Sequence, residues 1–583
     1  MIVANFIMLV LSGVGLSKGF SVVGGMSMHL NRAAGGSMQI IYCNHEQAVV
    51  AAADGYAKAS DYKCPGLAIV TSGPGVTNTT TALVSAFYDS VPMFLISGQV
   101  KSCDLNLYGV RSFGPQETPH SELLRPISKL SFVYDPATVS NVQLGQYLAL
   151  AVTGRKGPVH IDVPLDIQAR DVKTYADIAE VLSIYQAILA DDHAQSDPLP
   201  ADLFEALQVA QRPVIVLGNG LKIASVASAE ITELVNQLGW PALLTWASMD
   251  VIEHHHPLNF GCAGGLAGVH SNRILQSADV IIFLGTRLDL LTTGFKPESY
   301  GKNARRFVID CDPAERSKYA HVPGLVGIPI DVRAAVKALR AFATTQRRDH
   351  EAWLSQCCRW RHDNQIAEDR AFQKPRLTSY HVAKLISRAS TTRYIVPTAS
   401  GFAVEGFARF YKAGAGSRFA WAGHVLGSMG LAIPSAIGAS TRLGKLVACV
   451  DGDGGFLFNM QELYTLKANP QLAIAIFVLN NRGYASISMS QQRAFKQNFG
   501  ADADSGLAPI DFEPLAKIGG LDYIACHSYN ELEIAIERIK SDSRVLIDIY
   551  LDDDDHYRGP AISTKFDENG VPYSTNLEDI AWR

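Results

Sequence analysis

Short runs of aliphatic and β-branched residues recur along this chain, and each is followed by a stretch with the period of a helix. In residues 1–175 the runs are IIYCN, GLAIVTSG, MFLISGQ and VHIDVP, separated by helical stretches such as HEQAVVAAADGYAKA. Residues 195–345 repeat the pattern with PVIVLGNG, PALLTW, DVIIFLGTRLD and RRFVIDCDP. Residues 375–553 do so with RYIVPT, KLVACVDGDGG, AIAIFVLNN and RVLIDIYLD. Runs with no apolar–polar alternation suit strands buried on both faces, the condition of a parallel sheet covered by helices. The pattern predicts an α/β chain of three doubly wound parallel-sheet domains. A linker, ILADDHAQSDPLPAD, closes the first block, and a charged helical segment, 346–374, joins the second to the third. The tail, 554–583, has little apolar pattern and is expected to wrap over the surface or a site.

The opening stretch, MIVANFIMLVLSGVGLSKGF, lacks a positive segment ahead of its apolar run. It reads as a first amphipathic helix, followed by a strand FSVV and a turn at Gly24-Gly25, rather than as a signal peptide. No other segment approaches the roughly 18 apolar residues of a membrane span. A net charge of −5 and the lack of any basic cluster exclude a nucleic-acid partner. The nine cysteines have no Cys-x-x-Cys spacing, which speaks against disulfides and zinc and for a reducing, cytoplasmic setting. The run His254-His255-His256 sits in a Pro-containing connection and reads as a solvated loop.

Two motifs carry chemistry. The strand LVACV ends in Gly452-Asp453-Gly454, a tight turn that leaves one carboxylate at the sheet's carboxyl edge. After 25 intervening residues comes Asn480-Asn481-Arg482-Gly483, and the segment between has room for one helix and one strand. That crossover returns Asn481 to the edge that holds Asp453. A carboxylate, an amide oxygen and a backbone carbonyl are hard ligands, suited to Mg²⁺ shared with phosphate oxygens. In the first block, Glu46 opens an Ala-rich helix, where a carboxylate is also at home for electrostatic reasons alone. The turn TSGPGVTN, residues 71–78, opens a further helix and is placed to face a ligand.

With both motifs present, the chain resembles the thiamine-diphosphate enzymes, the family of acetohydroxyacid synthase, pyruvate oxidase and their relatives. The likeness covers essentially all 583 residues and includes SGQV (97–100), PQETPHSELLRPISK (115–129), GTRLDLLTTG (285–294) and GSMGLAIPSAIGA (427–439). Within the family it is similar to acetohydroxyacid-synthase-like carboligases. NNRGYASISMSQ and DSGLAPIDFEPLAKIGG resemble members of the branched-sugar (yersiniose-type) subgroup, which add an acetyl branch to a nucleotide-bound keto-sugar. The resemblance implies pyrimidine-binding, central and diphosphate-binding domains in that order. It assigns Glu46 to the aminopyrimidine ring, with a pKa raised by burial. The carbonyl of Gly427 and the side chain of Met429 would shape the bound cofactor. Ser72, Gln99, Gly401, Gly454, Gly455 and Gly483 complete the thiamine-diphosphate set, and Asp453, Asn481 and the Gly483 carbonyl hold Mg²⁺.

The resemblance also implies FAD at Gly218, Gly220, Thr245, Gly285, Arg287, Asp289 and Asp310. Met26, His29, Gln99, Gln116, Lys129 and Ser490 match positions near the substrate, with Lys129 or Arg111 available to phosphates of an acceptor. It further implies an obligate homodimer or homotetramer, because Glu46 of one subunit meets the cofactor held by another. Three departures qualify the pattern. Ser490 stands near the position of a family Trp that selects a second keto acid, which leaves room for a bulkier acceptor. Phe402-Ala403 replace a Gln-His pair near the diphosphate, and Gly455 a Ser or Ala, so backbone N–H groups must serve the phosphates. His424, in HVLGSMG, is either a proton donor near the pocket or an ordinary packed histidine. The expected reaction is decarboxylation of a 2-keto acid such as pyruvate and transfer of its two-carbon unit to a carbonyl acceptor. Acetolactate synthesis proper, a flavin-linked oxidase or decarboxylase, and a non-catalytic binding module are the alternatives.

Overall fold

The apolar runs become the strands of three parallel six-stranded sheets in the computed structural model. The structure describes residues 1–172, 177–194, 198–345, 349–371, 377–389, 391, 393–552, 562, 564–566, 568 and 572–580. The first sheet contains β1 (Lys18–Ser21), β2 (Gln39–Tyr42), β3 (Gly66–Val70), β4 (Met93–Gln99), β5 (Leu130–Val133) and β6 (Pro158–Pro164), in the spatial order 2-1-3-4-6-5. The second contains β7 (Pro213–Leu217), β8 (Ala242–Leu244), β9 (Asn259–Cys262), β10 (Val280–Leu284), β11 (Arg305–Ile309) and β12 (Leu325–Ile328), ordered 12-11-10-7-8-9. The third contains β13 (Tyr394–Pro397), β14 (Arg418–Phe419), β15 (Val447–Gly452), β16 (Ile474–Asn480), β17 (Asp522–Cys526) and β18 (Arg544–Tyr550), ordered 14-13-15-16-18-17. Strands β3, β4, β6, β7, β10 and β16 are buried at every position, as their unbroken apolar sequences require.

In each sheet the chain first builds to one side and then crosses to the other. That leaves a crevice between β1 and β3, between β7 and β10, and between β13 and β15. Open α/β sheets bind ligands in such crevices, outside the carboxyl ends of the strands. The first and third sheets share one apolar core. Its centre is the contact of helices Glu46–Ala59 and Ala432–Leu443. A Cβ on Gly55 would lie 2.0 Å from the Ser435 carbonyl oxygen, and one on Gly438 would lie 1.8 Å from that of Ala52. Small side chains elsewhere on both helices and these two glycines let the backbones touch.

The opening helix spans Val3–Gly13, and the strand after it is Lys18–Ser21 rather than FSVV, because its register with β2 starts at Lys18. From the tail, Leu577 and Ile580 pack into the second sheet's outer core with Ile562 beside them; most of 554–583 lies outside the described residues. The nine cysteines are free thiols. Among the described residues no helix is long and apolar enough to cross a membrane.

Candidate functional site

At the third sheet's crevice, β13 leads through Gly401 into helix Phe402–Phe410, and β15 leads into the short helix that Asp453 begins. Gly401 takes φ +65° and has open space around its Cα, so the start of the nine-residue helix is accessible to an anion. Phe402 and Ala403 are buried in the core, as their replacement of polar residues suggests. Asp453 is 2% exposed, and its carboxylate accepts from the backbone N–H of Gly454 (2.8 Å) and Gly483 (2.9 Å). Burial pushes its pKa up to about 6 against the lowering effect of those N–H groups. The Oδ1 of Asn481 is buried and has no hydrogen-bond partner among the described residues.

A desolvated carboxylate beside an orphaned amide oxygen fits a hard divalent cation, which would satisfy both. No group of three or more His, Cys, Asp or Glu suited to a metal occurs among the described residues. A cation here therefore relies on amide, carbonyl and ligand oxygens. Gly483 takes φ +154°, and a Cβ there would meet the Ala501 carbonyl at 2.4 Å, so the turn after β16 demands glycine.

Sequence reading passed over Asp451, two residues upstream. It is 1% exposed, and burial pushes its pKa up to about 8. A Cβ on Gly455 would lie 2.3 Å from Asp451 Oδ1, which is the physical reason a side chain is missing there. Gly454 is constrained in the same way by the Tyr484 ring, 2.2 Å from a would-be Cβ.

Glu46 begins its helix at the edge of the first sheet and accepts from Asn78 Nδ2 at 3.0 Å. It is half-buried, so this chain alone does not supply the desolvation expected for it. Ser72 is fully buried, and its hydroxyl has no partner among the described residues. Gly427, at φ +66°, and the half-buried Met429 lie on the loop before helix Ala432–Leu443. The Asp89 carboxylate holds the start of that loop by accepting from the N–H groups of His424 and Val425, both at 3.1 Å.

The substrate candidates divide. Met26 and His29 are half-buried beyond β1, and Gln116 is exposed with its backbone against Gly73. Gln99 faces inward instead: its amide group lies within hydrogen-bond distance of Thr118 O (2.9 Å), His120 Nδ1 (3.0 Å) and Asp162 Oδ2 (3.2 Å), and it is 2% exposed. His120 completes this network by accepting from the Gly73 N–H at 3.0 Å. Lys129 requires a correction. It precedes β5, at the amino edge of the sheet, and its Nζ donates to Thr153 O at 2.9 Å. It faces away from the crevice, and burial lowers its pKa. Ser490 is exposed on helix Ala485–Phe495 and donates to Ser486 O at 2.9 Å. Arg111 is exposed.

At the second sheet's crevice the backbones after β7 and β10 nearly touch: a Cβ on Gly218 would lie 2.1 Å from Gly285 O. A cavity of about 390 Å³ opens above them, lined by Gly220, Thr245, Gly285, Arg287, Asp289 and Asp310, with Gly218 behind. Arg287 donates to Tyr88 O at 2.6 Å, which ties this wall to the first sheet's domain. His424 lines the same cavity, with its ring centroid 3.9 Å from that of Trp246. It thus packs where the three blocks meet, against Trp246 of the second and Asp89 of the first.

The sequence matches three family models: the N-terminal TPP (thiamine pyrophosphate, or diphosphate) binding domain of thiamine pyrophosphate enzymes over residues 1–123, their central domain over 201–339, and their C-terminal TPP binding domain over 400–549. It is 29% identical over 571 residues to acetolactate synthase 1, chloroplastic, of Oryza sativa subsp. japonica, covering 95% of this chain and 85% of that protein. It is 30% identical over 511 residues to the acetolactate synthase large subunit of Cyanidium caldarium, covering 85% and 83%. Against a probable acetolactate synthase large subunit of Methanococcus aeolicus the identity is 30% over 524 residues, covering 87% and 85%.

Proposed function

Because the chain belongs to the thiamine pyrophosphate enzyme family, as an acetolactate-synthase-like carboligase, we propose that it decarboxylates a short 2-keto acid, pyruvate in the first instance, and joins the two-carbon unit to a ketone larger than pyruvate. The observation that carries the reading is the pairing of the buried Asp453 carboxylate with the orphaned Asn481 oxygen at the third crevice. Thiamine diphosphate, when bound, supplies the carbon nucleophile and the electron sink for decarboxylation. Asp453, Asn481 and the Gly483 carbonyl would hold Mg²⁺ on its diphosphate, with the helix start at Gly401 as a further anion cradle. Glu46 would hold a proton against the pyrimidine nitrogen, and the Gly427 carbonyl would accept from the amino group on that ring. Met429 would support the ring from below.

Full desolvation of Glu46 then needs a second copy of the chain. The exposed Val23, Met28, Tyr42, Phe458, Met460 and Tyr464 around the first and third edges support an obligate homodimer or homotetramer. FAD suits the second crevice: a glycine-lined switch point, a cavity of dinucleotide scale and Arg287 on its wall. In a carboligase its part is structural. The small, exposed Ser490 supports a bulky acceptor, a nucleotide-activated keto-sugar among the candidates, with Arg111 available to its phosphates.

The test is CO₂ release from pyruvate with thiamine diphosphate and Mg²⁺, followed by a screen of open-chain and cyclic ketones as acceptors. Acetolactate as the sole product would reduce the reading to acetolactate synthesis, and no release from any short 2-keto acid would remove it. Anaerobic pyruvate should leave added flavin oxidised; rapid bleaching would favour an oxidase.

A further inference from the structure

A second cavity, of about 330 Å³, lies where strand β9, helix Glu351–Ala371 and the end of helix Phe402–Phe410 meet. Its wall carries Arg361, Arg409, Lys412, His254 and His270, and among the described residues Glu368 is the single acidic one on it. The guanidinium of Arg409 is the anomaly. Its Nε, Nη1 and Nη2 are all shut off from water, and none has a hydrogen-bond partner among the described residues. Five N–H donors on a buried cation are thus left without an acceptor among the described residues, a state with a large desolvation cost.

The neighbours do not supply what is missing. Glu368 is shared between Lys412 and Lys384, at 3.9 Å from each, too far for a hydrogen bond to either. Arg361 Nη1 donates to the carbonyls of Pro257 and Asn259, each at 3.1 Å, while its face lies 4.5 Å over the Phe260 ring. His254, read from the sequence as part of a solvated loop, is half-buried here and its N–H donates to Ala413 O at 2.9 Å. Burial, then the charges of Lys412, His255, Arg361 and His270, push its pKa down to about 3. For His270, burial and then Arg361 push it down to about 4. Burial is the main cause of both shifts, and the cations around the two imidazoles add to it.

We propose that this cavity binds a small organic phosphate, with Arg409, Arg361 and Lys412 clasping the phosphate group. Guanidinium forks match phosphate oxygens, and a phosphate gives Arg409 the acceptors it lacks. Arg409 borders the cavity with its guanidinium nitrogens shut off from it, so the side chain must turn for the fork to reach a guest. The volume is about ten times the roughly 30 Å³ share of one water in the liquid, which suits a sugar phosphate better than a bare ion. The site stands apart from the thiamine-type crevice: helix Phe402–Phe410 begins at Gly401 on that crevice and ends beside Arg409.

The test is isothermal titration of the full chain, with thiamine diphosphate, Mg²⁺ and FAD in excess so that both crevices are filled. The probes are ribose 5-phosphate and inorganic phosphate at matched ionic strength. Ribose 5-phosphate should bind at one per chain. Arg409→Gln should weaken it at least tenfold, and Lys412→Gln severalfold. Lys412 is partly exposed at the cavity wall, so its variant decides the matter if Arg409→Gln does not fold. Absence of binding to the unmodified chain, or equal affinity in the variants, overturns the proposal. Binding of inorganic phosphate alone overturns the assignment to an organic phosphate.

Discussion

The first and third sheets are the same scaffold used twice. Both follow the strand order 2-1-3-4-6-5, counted within each sheet. The helices that pack against each other, Glu46–Ala59 and Ala432–Leu443, occupy equivalent places, between the second and third strand of each sheet. Gly55 and Gly438 meet each other's helices in reciprocal fashion, as an approximate two-fold axis requires. Even a buried aspartate is repeated: Asp162 on β6 and Asp548 on β18 hold equivalent positions beside β4 and β16. Their edges differ. In the first, Asp162 gathers Ser97, Gln99 and His120 into a closed network that ends on the Gly73 N–H. In the third, Asp548 gathers Asn480 and Tyr523, with Tyr550 beside them, and the next residue after Asn480, Asn481, has no partner for its side-chain oxygen among the described residues. The first edge closes most of its polar groups on one another, Ser72 Oγ excepted, whereas the third leaves Asn481 Oδ1 and Asp451 Oδ2 without partners among the described residues. Topology places the edges; a few loop residues decide what each can bind.

The largest effects should come from breaking that division of labour. Asp453→Ala removes the buried carboxylate and should weaken Mg²⁺-dependent binding of thiamine diphosphate by at least about 100-fold. Glu46→Gln should leave that affinity within a few-fold while lowering turnover by roughly 10²–10⁴. Fluorescence titration beside steady-state rates separates the two, and equal loss of affinity in both variants would contradict the assignment of ring and phosphate to separate edges.

The reciprocal contact is tested next. Gly55→Leu and Gly438→Leu each force a side chain into opposing backbone, and each should cost at least about 3 kcal/mol in urea unfolding. A large effect from one and none from the other would break the two-fold relation.

A smaller effect distinguishes the sheets by pH. Burial pushes His160, on β6 beside Ser97, down to about 4, whereas two residues before Asp548 the third sheet has Leu546. With the folded pKa below the ordinary 6.5, the unfolded chain binds the extra proton. The neutral-histidine contribution is therefore complete above pH 6.5 and is lost as pH falls toward 4, by about 3 kcal/mol for this group. His254 and His270 act in the same direction, so His160→Gln should reduce the slope of stability against pH without abolishing it. An unchanged slope would mean that His160 stays hydrated.

The smallest effect on stability should come from Ser490→Trp, within about 0.5 kcal/mol for an exposed position. Its effect on product should be clearer, toward acetolactate and away from the bulky ketone. An unchanged product ratio by chromatography would remove Ser490 from acceptor selection.

The three sheets were legible because buried parallel strands need unbroken apolar runs, and GLAIV, PVIVL and IAIFVLN are such runs. The pairing of Asp453 with Asn481 was legible for a related reason: one helix and one strand fit between them, so their spacing along the chain is tied to their spacing across the sheet edge. Lys129 was not, since a position at the start rather than the end of a strand depends on where β5 enters register with β6. The network around Gln99 was not legible either, because its partners, Thr118, His120 and Asp162, arrive from remote segments. The sequence by itself determined the class of fold, the strand ends that carry acids and glycines, and the family. Only the tertiary structure decided which polar groups are already satisfied and which, like Asn481 Oδ1 and the Arg409 guanidinium, lack a partner among the described residues. Local pattern governs where the backbone turns, but hydrogen-bond satisfaction and desolvation are set by residues hundreds of positions away.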